Sequence, residues 1–319
     1  MFSKDETRFS KALKSVARNE DIKKYIQESP ELYPLFMRAA KRFVSGEKRQ
    51  EGINKAKELI EKDYLVSIEY IGENTRSKEE CIASNEEFIS LIRELGKEGI
   101  QSTVSFDLSH IGMSIDRELA LKHLEEMAHE AKRNHLNLMI SMEESEKTEP
   151  ILDIYKQVAS SYDNVGITLQ VHLKRSLDDL HELFHYPGKI RIVKGAYQEP
   201  LDIIIPRSEE LDNRYFQFIA ESIEANQSIS IATHDEKLLQ QIIERGYLEH
   251  STVEVEMLDG ARPDLIKKVK NEGHNARVYI TYGTEWYLYL AHRIAEYPPN
   301  IYRAIADVIE TSEEKVSVY

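Results

Sequence analysis

The sequence predicts an α/β protein, a (β/α)8 TIM-type barrel with additional N-terminal helices. Eight short apolar or β-branched runs follow residue 62, and longer stretches with helical periodicity separate them. Strands that alternate with helices imply a parallel sheet. Eight such units in about 230 residues match the size of this barrel. A doubly wound open sheet is the alternative, but no Gly-x-Gly-x-x-Gly motif follows the first run.

Residues 1–62 precede the barrel and are charged, with apolar stripes at helical spacing. Pro30 and Pro34 are expected to break this segment into separate helices. Each of these helices has little apolar surface of its own, so they are expected to lie on something larger. We therefore predict an N-terminal helical segment, residues 1–62, packed on a catalytic barrel, residues 63–319.

The eight predicted strands are then taken in order. They are YLVSIEYIG (64–72), STVSFDL (102–108), LNLMISME (136–143), VGITLQV (165–171), KIRIVKG (189–195), SISIATH (228–234), TVEVEML (252–258) and ARVYITYG (276–283). In such a barrel the active site lies at the C-terminal ends of the strands. The last predicted helix, YLAHRIAEYPPN (289–300), follows strand 8, and its polar face is expected over the barrel mouth.

Composition limits the classes of partner. The net charge of -14 argues against nucleic acid, whose phosphates need a basic surface, and against anionic lipid. The single cysteine, Cys81, rules out an internal disulfide and a thiolate metal cluster. The chain has no apolar run of 18 residues and no signal-peptide pattern. A cytoplasmic protein is expected, at most peripherally associated with a membrane.

Polar residues at the ends of strands 4 to 6 suit a large anionic ligand such as a nucleotide cofactor. They are Gln170, Arg191, Lys194, Thr233 and His234, and Gly195 permits close backbone approach. Two alternatives stay open. Arg191 could simply pair with Glu256 inside the barrel, and Lys194 could form a Schiff base with a carbonyl substrate.

Aromatic residues near strand 8 predict a pocket for a small apolar group. Tyr197, Tyr279 and Tyr289 would form its walls, and Arg293 could hold a carboxylate in bidentate fashion. The histidines show no metal-ligand spacing such as His-Glu-x-x-His, so no metal site is predicted.

The stretches RIVKGAY (191–197), IATH (231–234) and HRIAEYPPN (292–300) together resemble the proline dehydrogenase family of flavoenzymes. The resemblance covers roughly residues 60–300. It implies a barrel that holds FAD at its mouth and oxidises L-proline to 1-pyrroline-5-carboxylate. Hydride would pass to flavin N5 and electrons onward to a quinone. No second catalytic domain is expected after the last helix, so the product would pass to a separate enzyme.

The resemblance also assigns residues to roles. The implied cofactor-binding positions are Met142, Gln170, Arg191, Lys194, Gly195, Ala196, Thr233, His234 and Glu296. The implied substrate-binding positions are Asp107, Tyr197, Leu258, Tyr289, His292 and Arg293. Arg191, Ser141 and Tyr279 are the implied catalytic positions, with Arg191 stabilising the reduced, anionic flavin.

Four positions depart from the family pattern. His292 stands in place of the first arginine of an Arg-Arg pair, Asp107 in place of a lysine, Ser141 in place of an aspartate, and Asp259 in place of a tyrosine. A neutral histidine removes one cation from a carboxylate clamp, although a nearby Asp107 would favour its charged form. The alternatives are therefore a flavoenzyme for a cyclic or secondary amine lacking the carboxylate, and a catalytically impaired paralogue.

Overall fold

The computed structural model describes residues 4–17, 19–72, 75–309 and 319. Its eight strands are all parallel and close into one barrel in chain order, with the last strand paired to the first. The predicted (β/α)8 fold is confirmed. All eight predicted strands are present, and every strand end lies within three residues of its predicted position.

The strands of the barrel are β1 Leu65–Tyr70, β2 Thr103–Phe106, β3 Asn137–Ile140, β4 Val165–Gln170, β5 Ile190–Val193, β6 Ile229–Ala232, β7 Val253–Leu258 and β8 Ala276–Tyr282. The helices are α1 Lys4–Ala17, α2 Glu20–Glu28, α3 Leu32–Ala40, α4 Arg49–Ile60, α5 Lys78–Lys97, α6 Arg117–Arg133, α7 Ser145–Ala159, α8 Ser176–Leu183, α9 Glu209–Glu224, α10 Glu236–Glu244, α11 Pro263–Asn271, α12 Trp286–Glu296 and α13 Asn300–Ile309, with a 3-10 turn at Tyr247–Glu249.

Local sequence explains where several helices begin. The side chains of Ser77, Asp116 and Asp235 each accept a backbone N–H of the following first turn. Each such cap contributes about 1 kcal/mol. The cap at Asp235 also fixes the turn directly after β6, where the predicted cofactor residues Thr233 and His234 lie.

Buried ion pairs occupy the barrel interior. Arg191 Nε lies 2.6 Å from Glu256 Oε2, and Arg277 Nε lies 2.7 Å from Glu254 Oε1. The hydroxyls of Ser67 and Ser230 donate to Glu256 as well. Removing one partner of such a pair leaves a buried charge and costs about 3–5 kcal/mol. The interior is thus a connected polar network beneath the barrel mouth.

The N-terminal helices pack around α12 from outside. Lys23 Nζ lies 2.6 Å from a carboxylate oxygen of Glu285, and the Ser10 hydroxyl donates to the Ala295 carbonyl at 2.7 Å. The rings of Tyr33 and Trp286 meet edge to face, with centroids 5.7 Å apart. Helix α4 lies instead against β1 and β8. The domain boundary after residue 62 stays a prediction.

One local expectation about prolines needs correction. Pro30 does separate α2 from α3, but Pro34 lies in the first turn of α3, where its missing N–H breaks no helical hydrogen bond. After Pro298 and Pro299 the chain forms a further helix, α13, which the sequence analysis did not predict. Among the described helices, none has both the length and the apolar content needed to cross a membrane.

Candidate active site

A cavity of about 210 Å³ opens at the C-terminal mouth of the barrel, under α12. Its lining residues are Glu69, Ile71, Gly72, Asp107, Ser141, Met142, Tyr197, Leu258, Tyr279, Glu285, Leu288, Tyr289, His292 and Arg293. Every position that the resemblance assigned to the substrate lies on this wall. Their roles stay predictions, but the fold brings them together around one small space.

Tyr279 forms the inner part of the wall. It is buried, and its hydroxyl donates to Glu69 Oε2 at 2.8 Å. Burial, and then the charge of Glu69, raise the pKa of Tyr279 well above its ordinary value. The phenol therefore stays protonated and acts as a fixed hydrogen-bond donor.

Arg191 does not line the cavity. Its guanidinium lies 4.8 Å from the centre of the Tyr279 ring and forms the buried ion pair with Glu256. It also donates to the Ser105 hydroxyl at 2.9 Å. Of the two interpretations that the sequence left open, the internal ion pair is the one that the structure shows. The predicted role of Arg191 beside a flavin stays untested.

Helix α12 forms the roof with the face that its spacing predicted. Arg293 Nη2 donates to Glu296 Oε1 at 2.8 Å, and the guanidinium lies 5.0 Å from the centre of the Tyr289 ring. Glu296, an implied cofactor-binding position, thus contacts Arg293. Burial raises the pKa of Tyr289 to about 12, which keeps this phenol neutral. The roof thus offers one oriented guanidinium to the cavity.

The predicted cofactor residues other than Met142, Arg191 and Glu296 lie together, at the C-terminal ends of β4, β5 and β6. Lys194 Nζ lies 2.5 Å from Asp212 and 3.1 Å from Asp235. Both contacts are ion pairs of the ammonium form, whereas a Schiff base needs the neutral amine. The geometry therefore disfavours the lyase alternative for Lys194.

Gly195 shows why this turn needs a glycine. Its φ is +104°, a conformation that other residues rarely adopt, and an added Cβ would lie 1.9 Å from His172 Nδ1. His172 is buried, and its Nε2 has no hydrogen-bond partner among the described residues. An uncompensated buried ring nitrogen is costly, so this atom suits a polar group of a bound molecule.

His234 connects the two halves of the site. The backbone N–H of Leu258 donates to His234 Nε2 at 3.0 Å, which requires a neutral imidazole. Burial, assisted by the charges of Arg293 and Arg262, lowers the pKa of His234 to about 4. The neutral ring thereby fixes the cavity wall at Leu258 to the turn after β6.

Asp259 follows this wall but does not line the cavity. Its carboxylate accepts the Tyr319 hydroxyl at 2.5 Å, and the same hydroxyl accepts the Gly260 N–H at 2.8 Å. Burial raises the pKa of Asp259. A phenol from residue 319 therefore stands next to the position where the family pattern has a tyrosine.

Sequence reasoning missed three charged residues of the site. Glu69 and Glu285 line the cavity, and Arg207 donates to the Gly195 carbonyl at 2.6 Å. Partial desolvation lowers the pKa of Arg207, while the carboxylates of Asp212, Asp235 and Glu296 act in the opposite direction. Arg207 lies in the loop before α9, which shows no periodic pattern, whereas the acidic Glu69 within an apolar strand was a usable signal.

The donor set suits an anionic, polar cofactor. Lys194 and Arg207 supply two cations on one side of the mouth, and Gln170 and His172 supply buried polar groups. A phosphate-bearing group would be neutralised there. The described residues contain no group of three or more histidine, cysteine or acidic side chains placed to hold a metal ion.

Comparison with known proteins identifies the class of enzyme. The family model for proline dehydrogenase matches residues 52–297. The chain is 31% identical to proline dehydrogenase 1 of Bacillus subtilis over 264 residues, 82% of this chain and 87% of that one. It is 30% identical to proline dehydrogenase of Deinococcus radiodurans over 302 residues, 92% and 95% of the two chains. The chain belongs to the proline dehydrogenase family, an assignment that implies an oxidoreductase with a flavin cofactor.

Solved structures agree on the fold. Proline utilization A from Bdellovibrio bacteriovorus, inactivated by N-propargylglycine, superposes on 90% of this chain with a TM-score of 0.77 at 19% identity. The chain spans 36% of that protein's length. Mutant D778Y of proline utilization A from Bradyrhizobium japonicum gives a TM-score of 0.65 over 72% of this chain.

Proposed function

We propose that this protein is an FAD-dependent proline dehydrogenase that oxidises L-proline to 1-pyrroline-5-carboxylate and passes the electrons to a quinone. The single observation that carries the proposal is the cavity under α12, where Arg293 and a set of aromatic side chains enclose one small space. We expect the enzyme to work in the cytoplasm, at most peripherally at a membrane.

The substrate would bind with its carboxylate toward the roof. Arg293 is oriented by Glu296 and Tyr289, so a bidentate contact costs little further ordering. His292 lies beside it on the same wall and adds a second, titratable contact. The Tyr279 and Tyr289 rings and Leu258 would enclose the pyrrolidine ring.

FAD would occupy the mouth beside this cavity. When bound, it supplies the electron acceptor for carbon–hydrogen oxidation. Lys194 and Arg207 would neutralise its phosphates, and Gly195 would permit close backbone approach. Gln170, Thr233 and His234 would contribute polar contacts, with Ala196, Met142 and Glu296 at the edges. Arg191, buried behind Tyr279, would contribute positive potential rather than direct contact.

Asp107 favours a second candidate. With Glu69 and Glu285 it places three carboxylates on the cavity wall, where Arg293 is the one arginine or lysine in the described lining. Such a wall also suits a cyclic secondary amine that has no carboxylate. This candidate keeps the flavin and the oxidation but changes the substrate.

An anaerobic absorbance titration of the flavin-loaded protein tests both candidates. Bleaching of the oxidised flavin band by L-proline would support the main proposal. Bleaching by pyrrolidine but not by L-proline would support the second candidate. A spectrum that neither compound changes would contradict both and favour an impaired paralogue.

A further inference from the structure

The proposed oxidation sets a requirement that the flavin does not meet. A secondary amine is protonated near neutral pH, and an ammonium nitrogen has no lone pair with which to form the C=N bond. The amine proton must therefore leave before or together with the hydride. A titratable group on the cavity wall is suited to accept this proton.

Several polar groups on the wall are unsuited to this task. Both carboxylate oxygens of Glu285 already accept from Lys23 Nζ, at 2.7 and 2.6 Å. Tyr279 and Tyr289 are protonated phenols, since burial raises the pKa of each. Arg293 is a permanent cation. The remaining carboxylate and imidazole groups of the wall are Glu69, Asp107 and His292.

Glu69 is held in place by a hydrogen bond from another residue of the cavity wall. It lies on β1 in register with Ser105 of β2, and its side chain lines the cavity. The Tyr279 hydroxyl holds its Oε2 at 2.8 Å, and the Arg191 guanidinium lies behind the Tyr279 ring. His292 is beside Arg293 on α12, where the substrate carboxylate would bind. The amine is then expected toward the β1 and β2 wall.

We propose that Glu69 is the proton acceptor for the substrate amine, positioned by the Tyr279 hydroxyl. This inference rests on the proposed function. In the step, the N–H bond breaks and its proton passes to a Glu69 carboxylate oxygen. The nitrogen lone pair then forms the C=N bond as hydride leaves the adjacent carbon for the flavin. The substrate loses two electrons and the flavin gains them, and the proton later leaves Glu69 for solvent.

Several charged or titratable groups face Glu69 and enter its pH dependence. They are Asp107 after β2, Arg191 on β5, Tyr279 on β8, Glu285 before α12, and Tyr289, His292 and Arg293 on α12. The two arginines favour the carboxylate form, whereas Asp107 and Glu285 disfavour it.

The test is the pH dependence of flavin reduction in the flavin-loaded protein under anaerobic conditions. In the wild type, the rate constant should fall on the acid side as Glu69 becomes protonated. Glu69→Gln should lower the rate constant by about 10²- to 10⁴-fold and remove this acid limb, with proline binding changed much less. Glu69→Asp should recover part of the rate together with the limb.

Glu87→Gln is a matched control, because Glu87 accepts the Tyr282 hydroxyl at 2.7 Å on the outer side of β8. It should keep the acid limb even if the fold is weakened.

An unchanged rate and limb in Glu69→Gln would overturn the inference, and so would a limb lost only in Asp107→Asn. If Glu69→Gln does not fold, the Tyr279→Phe variant provides the test. The acid limb of its pH profile for flavin reduction should shift, and an unmoved limb would count against Glu69 as the proton acceptor. Failure of the wild type to be reduced by any cyclic amine would instead refute the proposed function.

Discussion

Replacement of Arg293 by alanine tests the proposed carboxylate site. The guanidinium is partly enclosed, with 18% of its side chain exposed, and Glu296 and Tyr289 hold it in place. An enclosed charge-assisted contact contributes about 1.5–3 kcal/mol, so its loss should weaken the binding of L-proline by about 10- to 150-fold. Pyrrolidine has no carboxylate, so its binding should change little.

The assay is flavin reduction by L-proline and by pyrrolidine, compared in the wild type and in Arg293→Ala. The preference for proline over pyrrolidine should collapse in the variant, while flavin content stays the same. Arg293→Lys should recover part of the preference, because it keeps the charge but loses the bidentate geometry. Arg303→Ala, an exposed change on α13, serves as the control. An equal loss for both compounds in Arg293→Ala would refute the reasoning.

Three further predictions concern stability and the cofactor. Burial lowers the pKa of His110 to about 4, so the unfolded chain takes up a proton first as pH falls. The contribution of the neutral His110 ring to the free energy of unfolding is fully present above about pH 6.5, and about 2 kcal/mol of it should be lost between pH 7 and 5. Urea unfolding of the wild type and of His110→Phe measures this loss. The free energy of unfolding of the variant should depend less on pH. Arg207→Gln should lower the affinity of the apoprotein for FAD by about 10- to 100-fold and its affinity for riboflavin much less, as measured by fluorescence titration. Equal losses of affinity for the two compounds would argue against a phosphate contact. Gly195→Ala should abolish flavin retention, because the new Cβ would collide with the His172 ring; a yellow purified variant would contradict this.

The fold could be predicted because the strand signal is local. Each barrel strand is a short buried run, as in Val165–Gln170, where every residue is buried. Side chains that follow a strand end also converge at one edge of the sheet, which placed Asp107 and Leu258 correctly. The face of α12 followed from helical spacing alone.

Other parts of the site depended on contacts between distant residues. The sequence analysis extended strand 1 to residue 72 and passed over Glu69, the second-last residue of β1. Arg207 comes from an irregular loop whose path no periodicity predicts. The contact between Asp259 and Tyr319 joins positions 60 residues apart. Such pairings depend on the tertiary structure, so propensity and spacing do not determine them.

The contacts between the N-terminal helices and α12 have a consequence for biosynthesis. Ser10 and Lys23 leave the ribosome first, yet their partners Ala295 and Glu285 lie 285 and 262 residues further along the chain. Contacts at such separation form late, and domains mature as the chain emerges. The roof of the cavity can therefore be fixed only after residue 296 has been translated. Until then the growing chain has no enclosed pocket, and so no competent site for amine oxidation.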